Sequence, residues 1–130
     1  MTASKSLSSF FHWVSFLGFA VFLYIGFTLP LSQIPEVFLP ANDKALHFFD
    51  FLILTLLGFQ AFFYSVHPFF HQGAGGKASA FSLFYGAYLE WAQTPVPGRG
   101  ASFTDWMADA LGVLVAWIIF QTLDKAKFYS

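Results

Sequence analysis

The sequence lacks cysteine and has few charged residues. Without cysteine the chain can form no disulfide, thiolate metal site or cysteine nucleophile. Charged residues make up 10% of its 130 residues, against about 25% in an average soluble domain. The net charge of −1 gives no basic footprint for a nucleic-acid partner. Internal repeats, nucleophile elbows, phosphate-binding loops, dinucleotide fingerprints and zinc-protease motifs are also absent.

Hydrophobic residues dominate what is present, at 57% of the chain with 20 phenylalanines. So many large apolar side chains cannot all be buried in the core of a water-soluble domain of this length. About 20 apolar residues cross a bilayer as a helix. Residues 10–29, 43–66, 78–93 and 103–123 are therefore predicted to be transmembrane helices, although the third reaches only about 24 Å. The predicted fold is all-α, a single domain over residues 1–130 with four transmembrane helices in a small bundle.

Proline and glycine set the predicted breaks between these helices. A loop with three prolines follows the first helix, and Asn42 or Asp43 is the expected N-cap of the second. Pro68 and the glycine-rich run 73–76 are expected to end the second helix, and a loop rich in proline and glycine, 94–100, follows the third.

Four crossings put both termini and the second loop on the same side of the membrane. That side carries four lysines and the other side two basic residues. Because cytoplasmic loops are enriched in Lys and Arg, both termini are predicted to be cytoplasmic, and the first and third loops lie outside. The two sets are Lys5, Lys77, Lys125 and Lys127 inside, and Lys44 and Arg99 outside.

The polar residues of the predicted helices recur at helical spacing. Asp43, His47 and Asp50 follow each other at i, i+4 and i+7, which places them along one stripe of a helix. Asp105 and Asp109 begin the same spacing on the last helix, where Gly112 completes it. Each of these two helices is therefore predicted to present its polar groups on a single face.

The predicted topology gathers these groups at one depth. The second and fourth helices begin at the outer face, and the third ends there with Glu90 and Gln93, followed by Arg99. Ionisable groups in a membrane usually face the bundle interior or a wet cavity. Helix N-termini also favour carboxylates or bound anions. We therefore predict a functional site in this outer layer.

Each residue also has a purely structural interpretation. Asp43 could serve solely as the N-cap of its helix. Ser102 and Asp105 have the spacing of a capping box. Lys44 could extend to the membrane interface, and His47 could be a packing residue. Asp50 could pair with Lys44 or be protonated.

The outer layer carries unbalanced charge. Five carboxyl groups and two basic side chains leave a formal charge of −3 when His47 is neutral. Either some acids, Asp50 or Asp109 first, are protonated at neutral pH, or a divalent cation is bound. His47 with Asp43, Glu90 and Asp105 could supply the nitrogen and oxygen ligands of such a cation. We favour protonation, and neither a metal nor a cofactor is predicted.

Two motifs resemble those of the VanZ-like family, small bacterial membrane proteins related to the teicoplanin-resistance protein VanZ. Asp43-Lys44-x-x-His47-Phe48 resembles the first motif, and Glu90-x-x-Gln93 followed by Arg99-x-x-Ser102-x-x-Asp105 resembles the second. The resemblance covers residues 43–112. Asp109 stands where the family commonly has asparagine, and Phe51 stands where it frequently has tyrosine.

The resemblance implies a multi-pass protein of the bacterial cytoplasmic membrane with a possible link to teicoplanin susceptibility. The site itself suggests binding or processing of an envelope lipid or glycolipid head group, such as an anionic lipid or a lipid-linked precursor. The interpretation assigns acid–base roles to His47, Glu90 and Asp105, and binding roles to Asp43, Lys44, Gln93, Arg99, Ser102 and Asp109. Two alternatives stay open. The polar cluster could only hold the helices together in a protein that contacts other membrane proteins, or the chain could be a small transporter or flippase.

Overall fold

The chain folds almost entirely into helices in the computed structural model, which describes residues 3–38 and 43–129. No β-strand occurs within those two ranges. The helices are α1 (Ala3–Thr28), α2 (Asp43–Phe63), the single turn α3 (Pro68–His71), α4 (Ala74–Ala92) and α5 (Phe103–Tyr129). Two short 3₁₀ turns, Leu31–Gln33 and Glu36–Phe38, follow α1. The all-α prediction is confirmed, and the predicted cap Asn42 lies outside the described residues.

The boundary of α4 differs from the prediction. The glycine-rich run was expected to be a loop, but only Gly73, with φ of 66° in the left-handed region, forms the turn. The helix begins at Ala74, so Gly75 and Gly76 belong to it. A Cβ atom on Gly75 would lie 3.2 Å from the ring of Phe120 on α5. The absence of a side chain at Gly75 therefore serves close packing between helices.

Within the described residues, three helices are long and apolar enough to cross a membrane: Ala3–Thr28, Asp43–Phe63 and Phe103–Asp124. They correspond to the first, second and fourth predicted spans, although α1 ends at Thr28 and α2 at Phe63, before the predicted ends at 29 and 66. α4, which corresponds to the third predicted span, has 19 residues and a length of about 28 Å, but it is not among these apolar helices.

α2 is the central helix of the bundle. It packs most extensively on α5 and also on α4 and α1. At the crossing with α5, a Cβ atom on Gly112 would lie only 2.3 Å from the carbonyl oxygen of Phe48. A position of this kind accepts no side chain, so Gly112 allows the two helix backbones to touch, as small residues commonly do in membrane bundles.

The bundle has a buried, mostly apolar centre and large apolar side chains on its outer faces. Phe16, Phe51, Leu54 and Phe59 fill the centre and are at most 2% exposed. The hydroxyl groups of Thr55 on α2 and Ser82 on α4 are fully buried and 2.9 Å apart. The outer faces carry large apolar side chains, which include Phe10, Phe22, Leu114 and Ile118.

Candidate functional site

His47 lies at the junction of the three helices that carry the polar residues. Its side chain is 2% exposed, and the ring of Phe27 on α1 covers it at a centroid distance of 4.7 Å. Nδ1 lies 2.7 Å from Oδ1 of Asp109 on α5. The same nitrogen is 3.8 Å from Oε1 of Glu90 on α4. Three helices and the end of α1 therefore enclose one imidazole.

The second nitrogen of His47 faces two more carboxylates. Nε2 is 3.7 Å from Oδ1 of Asp43 and 3.6 Å from Oδ2 of Asp105. No hydrogen bond from a described residue reaches Nε2. We refer to Asp43, His47, Glu90, Asp105 and Asp109 as the His47 cluster. Its acidic members come from α2, α4 and α5, and four carboxylates around one imidazole are an arrangement suited to holding positive charge.

Ser102 performs the capping role that its position predicts. Its Oγ accepts a hydrogen bond from the backbone N–H of Asp105 at 3.3 Å. The reciprocal half of a capping box is supplied from another helix, because the backbone N–H of Ser102 donates to Oε2 of Glu90 at 2.9 Å. Asp105 is thereby left free to face the cluster, and Glu90 is fixed against the start of α5.

Lys44 joins α2 to α5 at the mouth of the cluster. Its Nζ donates a hydrogen bond to Oδ1 of Asp105 and lies 4.0 Å from Oδ2 of Asp43. Its side chain is 56% exposed. The alternative in which Lys44 pairs with Asp50 is wrong, because the amine points toward α5.

Asp50 leaves the stripe that the sequence predicts. At 100° per residue, His47 and Asp50 project about 60° apart around α2. His47 points toward α4 and α5, whereas Asp50 lines a separate pocket against α1. Asp43 projects between these two directions and belongs to both the pocket and the His47 cluster.

This pocket has a volume of about 220 Å³. Its walls are mostly apolar and come from the second half of α1, the following turn and the start of α2. Its polar lining residues include Asp43, Asp50 and Arg99. A pocket with apolar walls and a few convergent polar groups is the usual form of a small-molecule site.

Arg99 lies beside the cluster but binds elsewhere. Its Nη2 donates to the carbonyl of Gly26 at 3.0 Å and its Nε to the carbonyl of Leu29 at 3.1 Å. These are carbonyls at the end of α1, where a cation also meets the negative end of the helix dipole. Burial lowers the pKa of the Arg99 guanidinium, and the carboxylates of Asp43 and Glu90 oppose that shift. The group remains a cation at neutral pH.

Of the two remaining predicted residues, Asp109 belongs to the His47 cluster and Gln93 makes no hydrogen bond to it within the described residues. Asp109 is 1% exposed and its Oδ2 has no hydrogen-bond partner among the described residues. Leaving such an oxygen unsatisfied costs about 1–3 kcal/mol, so a proton on Asp109 or a donor or cation beside it would stabilise the cluster. Gln93 is buried at the end of α4, but no hydrogen bond of the described residues connects its amide to the cluster.

Sequence reasoning missed the contribution of α1. Phe27 covers the imidazole, and the carbonyls of Gly26 and Leu29 hold Arg99. None of these lies in the motif region 43–112, and backbone carbonyls carry no residue signature. The one available signal in the sequence was Arg99 itself, a basic residue in the loop between α4 and α5.

Comparison with protein-family models, curated proteins and solved structures found no match to this chain. Fold and site together define an all-helical protein with three helices able to cross a membrane. A buried histidine surrounded by carboxylates lies at one end of its bundle, beside a partly apolar pocket.

We predict that Arg99→Gln destabilises the fold more than Lys44→Gln. Arg99 makes two charged hydrogen bonds to α1, so its loss is expected to cost about 2 kcal/mol. The exposed pair of Lys44 contributes about 0.2–1 kcal/mol. Thermal unfolding of both variants in the same detergent measures the difference. Equal shifts in Tm would show that Arg99 does not hold α1.

Proposed function

We propose that the chain is a multi-pass protein of the bacterial cytoplasmic membrane, of the VanZ-like type, in which α1, α2, α4 and α5 all cross the bilayer. The course of the chain supports four crossings. α2 and α5 both begin at the His47 cluster, so the segment between them must return along the bundle, and Glu90 near the end of α4 contacts His47. The lysine distribution supports cytoplasmic termini, with the cluster on the outer side.

Single cysteines test this orientation, because the natural chain has none. Gly100 lies in the loop before α5 and Gly76 at the start of α4, and a Cβ atom at either meets nothing within 4 Å. An impermeant thiol reagent should label Gly100→Cys in intact cells and spare Gly76→Cys until the cells are opened. The reverse pattern would place the cluster on the cytoplasmic side.

We further propose that the pocket and the His47 cluster bind, and could process, the head group of an envelope lipid. The pocket of about 220 Å³ carries this proposal, because apolar walls and charged groups meet in it. Its walls, which include Phe22, Leu23 and Leu46, suit the start of an acyl or prenyl chain. A role in envelope lipids would also account for the link to teicoplanin susceptibility that the resemblance implies.

Arg99 is the group we assign to the phosphate of that lipid. Two of its five N–H groups are used by the carbonyls of Gly26 and Leu29, and three remain. Because the side chain is held from α1, the remaining N–H groups are presented from a fixed position. Guanidinium groups bind phosphate oxygens through two parallel hydrogen bonds.

The neighbouring carboxylates restrict which head groups fit. Asp43 and Asp50 line the same pocket as Arg99, so an anion meets more negative than positive charge there when both carboxyl groups are ionised. A phosphate therefore requires a positive group of its own or a cation that accompanies it. For a processing role, His47 is the proton acceptor, Asp109 holds its ring in place, and Glu90 and Asp105 complete the acid–base set.

A structural role is the second candidate. The contacts of Lys44 with Asp105 and of His47 with Asp109 both tie α2 to α5, close to the backbone contact at Gly112. Under this interpretation the cluster only fixes the crossing of the two helices, and the protein acts through contacts with other membrane proteins. No lipid would then depend on the pocket.

We predict that filling the pocket displaces a bound lipid. Gly26 lines the pocket and a Cβ atom there meets nothing within 4 Å, so the side chain of Gly26→Leu has room to begin at the helix and is expected to extend into the pocket. Gly18→Leu is the matched control, since Gly18 also has open space but lies outside the pocket lining. Native mass spectrometry with added phosphatidylglycerol and Mg²⁺ counts the lipids that each variant retains.

The wild type and Gly18→Leu should each retain one lipid that Gly26→Leu loses. Equal retention by all three proteins would contradict a lipid site in the pocket and favour the structural role. Loss of the lipid from Gly18→Leu as well would show that α1 binds lipid along its whole outer surface.

A further inference from the structure

We propose that Nε2 of His47, Oδ1 of Asp43 and Oδ2 of Asp105 bind one divalent cation at the mouth of the cluster. This inference goes beyond the lipid function and does not require it. The charge count favoured protonation of acids as the way to neutralise the outer layer. The positions of Nε2 and the two carboxylate oxygens favour a bound cation in addition.

The three atoms have the spacing of an open coordination site. Nε2 is 3.7 Å from Asp43 Oδ1 and 3.6 Å from Asp105 Oδ2, and all three lie within 4.8 Å of one another. For metal–ligand bonds of about 2.1 Å, neighbouring ligands are about 3.0–3.5 Å apart in octahedral or tetrahedral geometry. Small side-chain rotations therefore bring the three atoms to bonding distance.

His47 is held in the orientation that such a site requires. Its Nδ1 is hydrogen-bonded to Asp109 at 2.7 Å. An ionised Asp109 can only accept this bond, so with that carboxylate the proton of a neutral imidazole lies on Nδ1 and the lone pair on Nε2. A metal-bound histidine commonly donates its other N–H to a carboxylate in this way. The side chain is 2% exposed, yet Nε2 has no hydrogen-bond partner among the described residues and faces the gap between Asp43 and Asp105.

Lys44 does not occupy that gap. Its amine contacts Oδ1 of Asp105 and lies 4.0 Å from Oδ2 of Asp43. The oxygens that face His47 are the opposite ones, Oδ2 of Asp105 and Oδ1 of Asp43. Each carboxylate therefore interacts with Lys44 on one side and is free to bind a cation on the other.

The donor set indicates the class of cation. Two carboxylate oxygens and one imidazole suit Mn²⁺, Mg²⁺ or Zn²⁺ more than the soft metals that thiolates select. Asp43 is 34% exposed at its side chain, so the site opens toward the mouth and the remaining coordination positions are available to water. A phosphate oxygen could take one of these positions, a step that does rest on the proposed lipid function.

Mn²⁺ is the probe for the experiment, because the free ion gives a strong electron paramagnetic resonance signal that binding removes. The full-length protein is titrated in detergent without added phospholipid. The wild type should bind one Mn²⁺ per chain, in competition with Zn²⁺. Spin-echo spectra of the bound ion should show modulation from ¹⁴N, because His47 supplies a directly coordinated nitrogen.

Two ligand variants and one control complete the design. Asp43→Asn removes the more exposed ligand and Asp105→Asn the more buried one, and each should weaken Mn²⁺ binding by about tenfold or more. Asp50→Asn removes a carboxyl group from the adjacent pocket without touching the ligand set, and should change the affinity much less. Unchanged elution on size exclusion checks that each variant is folded.

Three results would overturn the inference: no saturable binding to the wild type at millimolar Mn²⁺, bound Mn²⁺ without nitrogen modulation, or equal weakening by Asp50→Asn and Asp43→Asn. The last would show diffuse attraction to negative charge. Because no lipid is present, these results leave the lipid proposal intact, and loss of lipid binding by Gly26→Leu leaves the cation site intact.

Discussion

The contact between His47 and Asp109 is the interaction on which the site depends. It joins α2 to α5 through a 2.7 Å hydrogen bond between two side chains that are at most 2% exposed. In an apolar bundle, each of these groups would be costly to bury alone. The bond requires α5 to lie close to α2, and Gly112 permits this by placing no side chain against the carbonyl of Phe48. Close helix packing and buried polarity therefore support each other at one place.

Once His47 is fixed, its neighbours acquire separate tasks. Glu90 accepts the N–H of Ser102 and so fixes the start of α5, while Asp105 turns toward Lys44 and His47. Asp43 is shared by the cluster and the pocket. Asp43 thus connects the buried His47 cluster to the pocket. A ligand in the pocket could therefore reach the imidazole from this end of the bundle.

The fold was largely readable from the sequence because its signals are strong and local. Long apolar runs, interrupted at Pro30 and Pro68, placed the main helices, and the hydroxyl of Ser102 marked the start of α5. The start of α4 was misplaced because Gly75 serves a contact with Phe120 on another helix, which no local pattern shows. Whether α4 crosses a membrane also depends on its neighbours, since its own composition is less apolar than that of the other long helices.

The members of the site were easier to predict than their partners. Helical spacing grouped Asp43, His47 and Asp50 on one side of α2. The side chains of His47 and Asp50 nevertheless project about 60° apart around the helix axis, so Asp50 faces α1 while His47 faces α5. Arg99 stands between Glu90 and Asp105 in the sequence, yet its hydrogen bonds go to carbonyls at the end of α1. Which group a polar side chain contacts depends on the rotation of the packed helices about their axes and on the positions of backbone carbonyls. A local sequence pattern predicts neither.

The protonation state of His47 is the most direct test of this account. ¹⁵N spectra of histidine-labelled protein, with His47 assigned by its loss in His47→Gln, report which ring nitrogen carries hydrogen. The account predicts that Nδ1 is protonated and that its proton signal is shifted by the hydrogen bond to Asp109, with the shift lost in Asp109→Leu. A neutral ring with hydrogen on Nε2 and a bare Nδ1 would contradict it, because His47 would then neither be held by Asp109 nor present a lone pair to the mouth of the cluster.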